Sequence, residues 1–162
     1  MRALIGRVWR RSLMYRVLTL NGYVAFNLPR AVTAAGGLLL VGLVVAHLYV
    51  WATATAVPAY FAGYCALLIT SCLLAIVAMG AGFNPVLPQR GWQLGTMVGV
   101  VFLGLYLASR AASMPGLADL TGSWDLAPGT FAAACAVGFI GLHMSIVLGI
   151  NVAYPRRRNW YG

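Results

Sequence analysis

The sequence contains no lysine and no glutamate, and Asp119 and Asp125 are its only acidic residues. Small four-helix multidrug exporters need a glutamate within the membrane for proton coupling, so that class is excluded. The chain also lacks a Ser-His-Asp set, a glycine-rich phosphate loop and a cluster of metal ligands. We therefore predict no catalytic residues, no metal and no other cofactor, and an enzyme ranks behind the two functions considered below.

Cysteine is scarce: Cys65, Cys72 and Cys135 are the only three, and no CxxC motif is present. Cys65 and Cys72 are seven residues apart, which separates them by about 10 Å on a helix. A disulfide needs Cα atoms within roughly 7 Å, so this pair cannot close. These features exclude a membrane thiol oxidase and predict buried, apolar cysteines.

Apolar residues, in contrast, dominate the chain. Hydrophobic residues make up 62% of the 162 positions and charged residues only 8%, against roughly 25% charged in a soluble domain. Residues 31–89 and 126–155 carry no charge at all. The sequence thus predicts an integral membrane protein whose main partner is the lipid bilayer. Six arginines precede the first apolar run, so a cleavable signal peptide is not expected.

The apolar stretches divide into four segments, each long enough to span a bilayer with about 20 residues. Pro58 interrupts the first stretch and suits the first turn of a new helix. The segment around Asn84, Pro85 and Pro88 is a connecting loop by composition. The predicted fold is an all-α, four-transmembrane-helix bundle. Its spans are Val32–Thr55, Pro58–Gly80, Gln93–Met114 and Gly129–Ala153.

Basic segments flank the bundle, which we assign to residues 31–154. Residues 1–30 form a basic cytoplasmic or interfacial segment. Its first 20 residues mix arginine with large apolar side chains and are predicted to form an interfacial amphipathic helix, or alternatively an arm docked on a partner. Residues 155–162, with the sequence PRRRNWYG, form a basic tail. Arginine beside aromatic residues occurs in nucleic-acid sites and at membrane surfaces; the four spans favour the membrane and exclude nucleic acid. The predicted membrane anchors are Arg156, Arg157, Arg158 and Trp160.

The arginines also predict an orientation. All of them except Arg110 fall on one side of a four-span topology, and both aspartates fall on the other. By the positive-inside rule both termini are cytoplasmic; for a bacterial protein, the membrane expected is then the cytoplasmic (inner) membrane. Arg110 is expected to pair with Asp119 or Asp125, or to extend to the outer surface. Aromatic residues fit two interfacial belts, with Trp9, Trp92, Tyr154, Trp160 and Tyr161 at the inner boundary and Tyr49, Trp51, Tyr60 and Trp124 at the outer one.

Two histidines lie within predicted spans, where ionisable groups mark functional sites. His47 in the first span and His143 in the fourth differ in depth by more than about 10 Å, counted at 1.5 Å per residue. Ligands of one haem iron need nitrogens roughly 2 Å from it, so a shared haem is excluded. Each histidine is expected to hydrogen-bond a neighbouring helix or to lie near an interface. The alternative is that His47 or His143 contacts a quinone or lipid ligand.

Small residues recur at helical spacing in every span and allow helix backbones to approach closely. They serve either the internal bundle or contact with another protein. The predicted helix-packing residues are Gly95, Gly99, Gly104, Ala134 and Gly138.

In size, topology and composition, the whole chain resembles small, arginine-rich, four-span membrane proteins of GC-rich actinobacteria. Some of those proteins accompany the cytochrome bc–cytochrome oxidase respiratory supercomplex. The resemblance implies a non-catalytic accessory or assembly subunit, packed against other subunits of a larger membrane complex of the respiratory chain. The alternative function is a small quinone- or lipid-binding carrier that uses His47 or His143.

The orientation generates a first prediction. In a variant without native cysteines, single cysteines at Ser12, Gln89 and Asn159 should be shielded from an impermeant thiol reagent applied to intact cells. Single cysteines at Thr55 and Thr121 should react, because they lie on the side that lacks arginine. Gel-shift labelling measures both sets, and labelling at Gln89 would contradict the orientation.

Overall fold

The computed structural model of the protein describes residues 28–53, 58–82, 84, 86–112, 122, 124 and 127–155. Within these ranges it contains no strand and four α-helices: α1 (Pro29–Thr53), α2 (Ala59–Gly80), α3 (Val86–Ala111) and α4 (Ala127–Val147). Each helix is long and apolar enough to cross a membrane, which confirms the predicted four-helix membrane bundle. The predicted amphipathic helix and the anchor residues Arg156, Arg157, Arg158 and Trp160 lie outside the described residues.

The helices form a ring in which α1 and α3 each contact both α2 and α4. Five residues separate α1 from α2 and α2 from α3, and 15 separate α3 from α4; the bundle runs up-down-up-down. We call the end where α1 and α3 finish and α2 and α4 begin the distal end, and the opposite end the proximal end. The exposed Tyr49, Trp51, Tyr60 and Trp124 gather at the distal end, where the sequence predicted an aromatic belt.

Helix α3 begins at Val86, seven residues before the predicted start at Gln93. The side-chain Oδ1 of Asn84 accepts a hydrogen bond from the Val86 N–H at 2.9 Å, which satisfies one of the unpaired donors of the first turn. Pro88 lies in that same turn, where its missing N–H is not needed. The predicted loop is therefore shorter than expected, and it ends before Arg90.

Helix α4 ends at Val147, six residues before the predicted end at Ala153. Gly149 adopts a positive φ of 76°, and the N–H groups of Ile150 and Asn151 both donate to the Ser145 carbonyl. A left-handed glycine that closes such bonds is a common way to terminate a helix. The chain then turns back, and the Tyr154 N–H donates to Thr33 Oγ1 on α1 at 2.9 Å.

Large side chains fill the interior of the proximal half. Trp92 is fully buried and stacks on Phe139 with ring centroids 5.1 Å apart. Its assignment to the interfacial belt was therefore wrong. Gly36 on α1 makes room for the indole, because a Cβ there would lie 2.6 Å from Trp92 Cη2.

Glycines on α3 set how closely its neighbours pack. A Cβ at Gly91 would lie 2.7 Å from the backbone nitrogen of Met79 on α2, and one at Gly95 would lie 2.6 Å from Phe139 Cζ. The predicted packing residues Gly99 and Gly138 also face neighbouring helices, at 3.4 Å from Ile140 and 3.3 Å from Leu39. The other two point away from the bundle: Gly104 has nothing within 4 Å, and Ala134 is exposed.

The contact at Gly91 generates a second prediction. Gly91→Ala should lower the free energy of unfolding by about 1–3 kcal/mol, because the added methyl meets backbone atoms that cannot rotate away. Gly104→Ala on the same helix is the matched control, and it should leave stability unchanged or raise it by up to about 1 kcal/mol. Thermal unfolding followed by circular dichroism in one detergent compares the two. Equal unfolding midpoints would contradict the close approach of α2 and α3.

Candidate ligand-binding cavity

The distal half of the bundle contains a half-open cavity of about 570 Å³ that is lined by all four helices. Small residues face it from α1 and α4: Ala46, Gly129 and Ala132. In the proximal half, the interior is instead occupied by large side chains such as Leu40 and Phe139, both almost fully buried. The cavity therefore arises because small residues from α1 and α4 face the interior in the distal half, whereas large side chains fill the interior in the proximal half. Its volume lies within the roughly 300–1,000 Å³ of small-molecule sites.

Aromatic rings form much of the cavity wall. They come from three helices, and the residues are Tyr49, Tyr60, Phe61, Tyr64, Phe102 and Tyr106. The rings of Phe61 and Tyr64 pack at 5.8 Å between centroids, as do those of Phe102 and Tyr106. Such walls suit a flat or aliphatic molecule, because aromatic faces pack against both.

His47 is the buried polar side chain at the inner part of this wall, with only 6% of its surface exposed. Its Nδ1 lies 2.8 Å from the Leu43 carbonyl oxygen one turn earlier on α1. A carbonyl oxygen only accepts, so Nδ1 carries the proton and donates. In the neutral ring, Nε2 then presents a lone pair, and the Tyr64 hydroxyl donates to it across 3.4 Å.

The rings of Tyr64 and Phe102 fix the orientation of the imidazole. Both meet it edge to face, with centroids at 5.8 Å and 5.3 Å. His47 is thus held by its own helix and by contacts with α2 and α3. The expectation that it hydrogen-bonds a neighbouring helix holds through Tyr64, and it also lines the cavity, as the ligand-contact alternative requires.

Arg110 lies at the cavity wall near the distal end of α3 and is also buried, at 6% exposure. Its guanidinium carbon sits 4.9 Å from the centre of the Tyr106 ring, a distance at which a cation is attracted to the ring face. Gly129 on α4 gives it room, since a Cβ there would lie 3.1 Å from Arg110 Nη2. The side chain therefore stays inside the bundle and does not extend to the outer surface. The aspartates expected to pair with it, Asp119 and Asp125, lie outside the described residues.

His143 occupies a different environment in the packed proximal half. Its Nδ1 is 2.6 Å from Thr96 Oγ1 on α3, and its ring stacks with Trp92 at 5.7 Å. It does not line the cavity, so the structure brings only His47 of the two candidate histidines to a possible ligand. Thr96 and Phe102, their respective neighbours on α3, are separated by about 9 Å along the helix.

The cysteines follow the sequence prediction. Cys65, Cys72 and Cys135 are free thiols and all are buried. Within the described ranges, no group of three His, Cys, Asp or Glu side chains is placed to hold a metal ion.

Sequence reasoning missed most of the cavity. Tyr60 and Tyr49 were assigned to a belt, and Tyr64, Phe102 and Tyr106 were assigned no role. A usable pattern was present on α3, because Phe102, Tyr106 and Arg110 recur every four residues and so share one helix face. Opposite that face, the small residues Ala132 and Gly129 leave the space open.

Comparison with known proteins adds no assignment: no protein-family model, no curated protein and no solved structure matches the chain.

Proposed function

We propose that this protein binds a lipid-soluble small molecule, a quinone or a lipid, in the distal cavity and holds it without converting it. The observation that carries the proposal is a cavity of about 570 Å³ between four helices, with aromatic walls and the buried His47. Ligand sites are typically concave and apolar, with a few polar groups that orient the ligand. Here those groups include His47 and Arg110.

The location of the cavity supports the proposal. All four surrounding helices are able to cross a membrane, so a ligand dissolved in the bilayer lies at high local concentration around the bundle. A bundle built only for mechanical support gains more from a filled interior, because each void forfeits packing contacts. The proximal half is filled in this way, with Trp92, Phe139 and Leu40 fully buried.

A cavity-filling substitution tests the proposal and is the third prediction. Ala132→Leu should abolish most ligand retention, because Ala132 lines the cavity and its enlarged side chain occupies the ligand's space. Ala134→Leu, two residues along on the exposed face of α4, is the matched control and should retain the ligand. Mass spectrometry of organic extracts from protein purified in mild detergent measures the bound molecule per chain.

Ala46→Leu fills the same cavity from α1 and should reproduce the loss. Thermal unfolding of each variant shows whether the bundle remains intact. Equal ligand retention in Ala132→Leu and Ala134→Leu, or no lipid-soluble molecule with the wild type, would contradict the proposal.

A second candidate function is favoured by a separate observation. Gly104 and Ala134 point away from the bundle, where small residues allow another helix to approach closely. We propose on this basis an accessory or assembly subunit of a larger complex in the cytoplasmic membrane of a bacterium, with both termini cytoplasmic. The resemblance to small actinobacterial proteins of the respiratory supercomplex points to the same role. The two functions are compatible, because they use opposite faces of the helices.

Native mass spectrometry of the mildly extracted protein tests this second function and gives the fourth prediction. We expect co-purified membrane subunits with the wild type, and their loss in Gly104→Leu, which places a bulky side chain on the outward face. Ala132→Leu should keep those subunits, since it changes only the interior. If the protein is homogeneous, carries its ligand and has no partner subunits, the accessory-subunit function is contradicted and ligand binding remains.

A further inference from the structure

Three polar side chains that line the distal cavity share a feature that constrains the ligand. His47, Thr53 and Ser109 each donate their proton to a backbone carbonyl of their own helix. The acceptors are Leu43 at 2.8 Å, Tyr49 at 2.8 Å and Tyr106 at 2.8 Å. With their protons engaged, Nε2 of His47 and the two hydroxyl oxygens are left with lone pairs and so can act only as hydrogen-bond acceptors.

His47 is the most buried of these three acceptors. Its Nε2 is approached by the Tyr64 hydroxyl at 3.4 Å, longer than the roughly 2.5–3.0 Å of a strong bond from a hydroxyl donor. The lone pair is therefore only weakly engaged. A ligand hydroxyl that reached Nε2 at a shorter distance would replace a weak bond with a stronger one.

The immediate surroundings of His47 favour a ring over a flexible chain. Tyr64 and Phe102 meet its imidazole edge to face, and Phe102 continues into Tyr106 at 5.8 Å. A flat ring placed against these walls gains stacking or edge contacts.

We propose that the cavity selects a lipid-soluble aromatic ring that bears a hydroxyl, the chemistry of a hydroquinone, and that this hydroxyl donates to Nε2 of His47. This inference rests on the proposed ligand-binding function and specifies its ligand class. It involves no electron transfer: the ligand is bound in its reduced, hydroxyl-bearing form.

A pair of probes with the same shape tests the donor. Decylhydroquinone carries two ring hydroxyls, and its dimethyl ether carries none. With the wild-type protein in lipid nanodiscs, calorimetry should give a dissociation constant about tenfold lower for the hydroquinone, the effect of one added hydrogen bond. Hexadecanol has a hydroxyl but no ring, and it should bind more weakly than decylhydroquinone.

Two variants assign the preference to His47. His47→Phe keeps a ring of similar size but removes the acceptor, so both ring probes should bind equally. Tyr64→Phe removes the hydroxyl that competes for Nε2, so the preference for the hydroquinone should be kept or increased. Because the two substitutions are on different helices, a folding defect in one leaves the other informative.

The outcomes separate this inference from the function on which it rests. Equal binding of both ring probes to the wild type, or tighter binding of hexadecanol, would overturn the ligand class while leaving a ligand-binding protein. An unchanged preference in His47→Phe, or its loss in Tyr64→Phe, would overturn the role of Nε2. Failure of every probe to bind, together with no molecule in the organic extracts, would overturn the proposed function itself.

Discussion

Close packing between helices is the constraint on which this structure depends. In a bilayer, apolar side chains gain little by leaving lipid for a neighbouring helix, so the fit between surfaces has to hold the bundle together. The fit is tight where α3 meets α2, because Gly91 lies against backbone atoms of Met79. It is equally tight where Gly36 and Gly95 receive the rings of Trp92 and Phe139. The proximal half is thus a closely packed core.

The distal half is assembled on that core and follows a different rule. Ala46 and Ala132 face the interior of the distal half, whereas large side chains face the interior of the proximal half. The surrounding rings are fixed by mutual contacts and by His47, so the space does not collapse. An open volume in a lipid-embedded bundle persists only when its walls are held apart, and here the proximal packing and the aromatic contacts do this.

The two histidines illustrate how much the sequence predicts. Both lie in apolar spans, and helical rise alone places them at different depths. Their environments depend on residues far away in the chain: Trp92 and Thr96 enclose His143, whereas Ala132 leaves space beside His47. Hydropathy predicted the four helices correctly, but it carries no information on which side chains meet across the interior. The same limit explains Trp92, whose pairing with Gly36 is a contact between distant residues.

The start of α3 and the end of α4 were predicted wrongly for local reasons. Asn84 and Pro88 begin α3 before Gln93, where the sequence predicted its start, and Gly149 ends α4 before the predicted end.

The chain turns back after α4 and packs on the proximal end of the bundle, which bears on how a ligand could reach the cavity. Ala153 is buried, and Tyr154 is tied to Thr33 and lies near Arg30, with 5.9 Å between the guanidinium and the ring centre. Between this contact and the distal cavity lies the packed layer of Trp92, Phe139 and Leu40. The cavity is therefore closed on its proximal side by packed side chains. A ligand held there, as we propose, would meet this packed layer and would therefore enter and leave on the distal side. On that proposal, the described helices form a holding site with no passage between the two membrane faces.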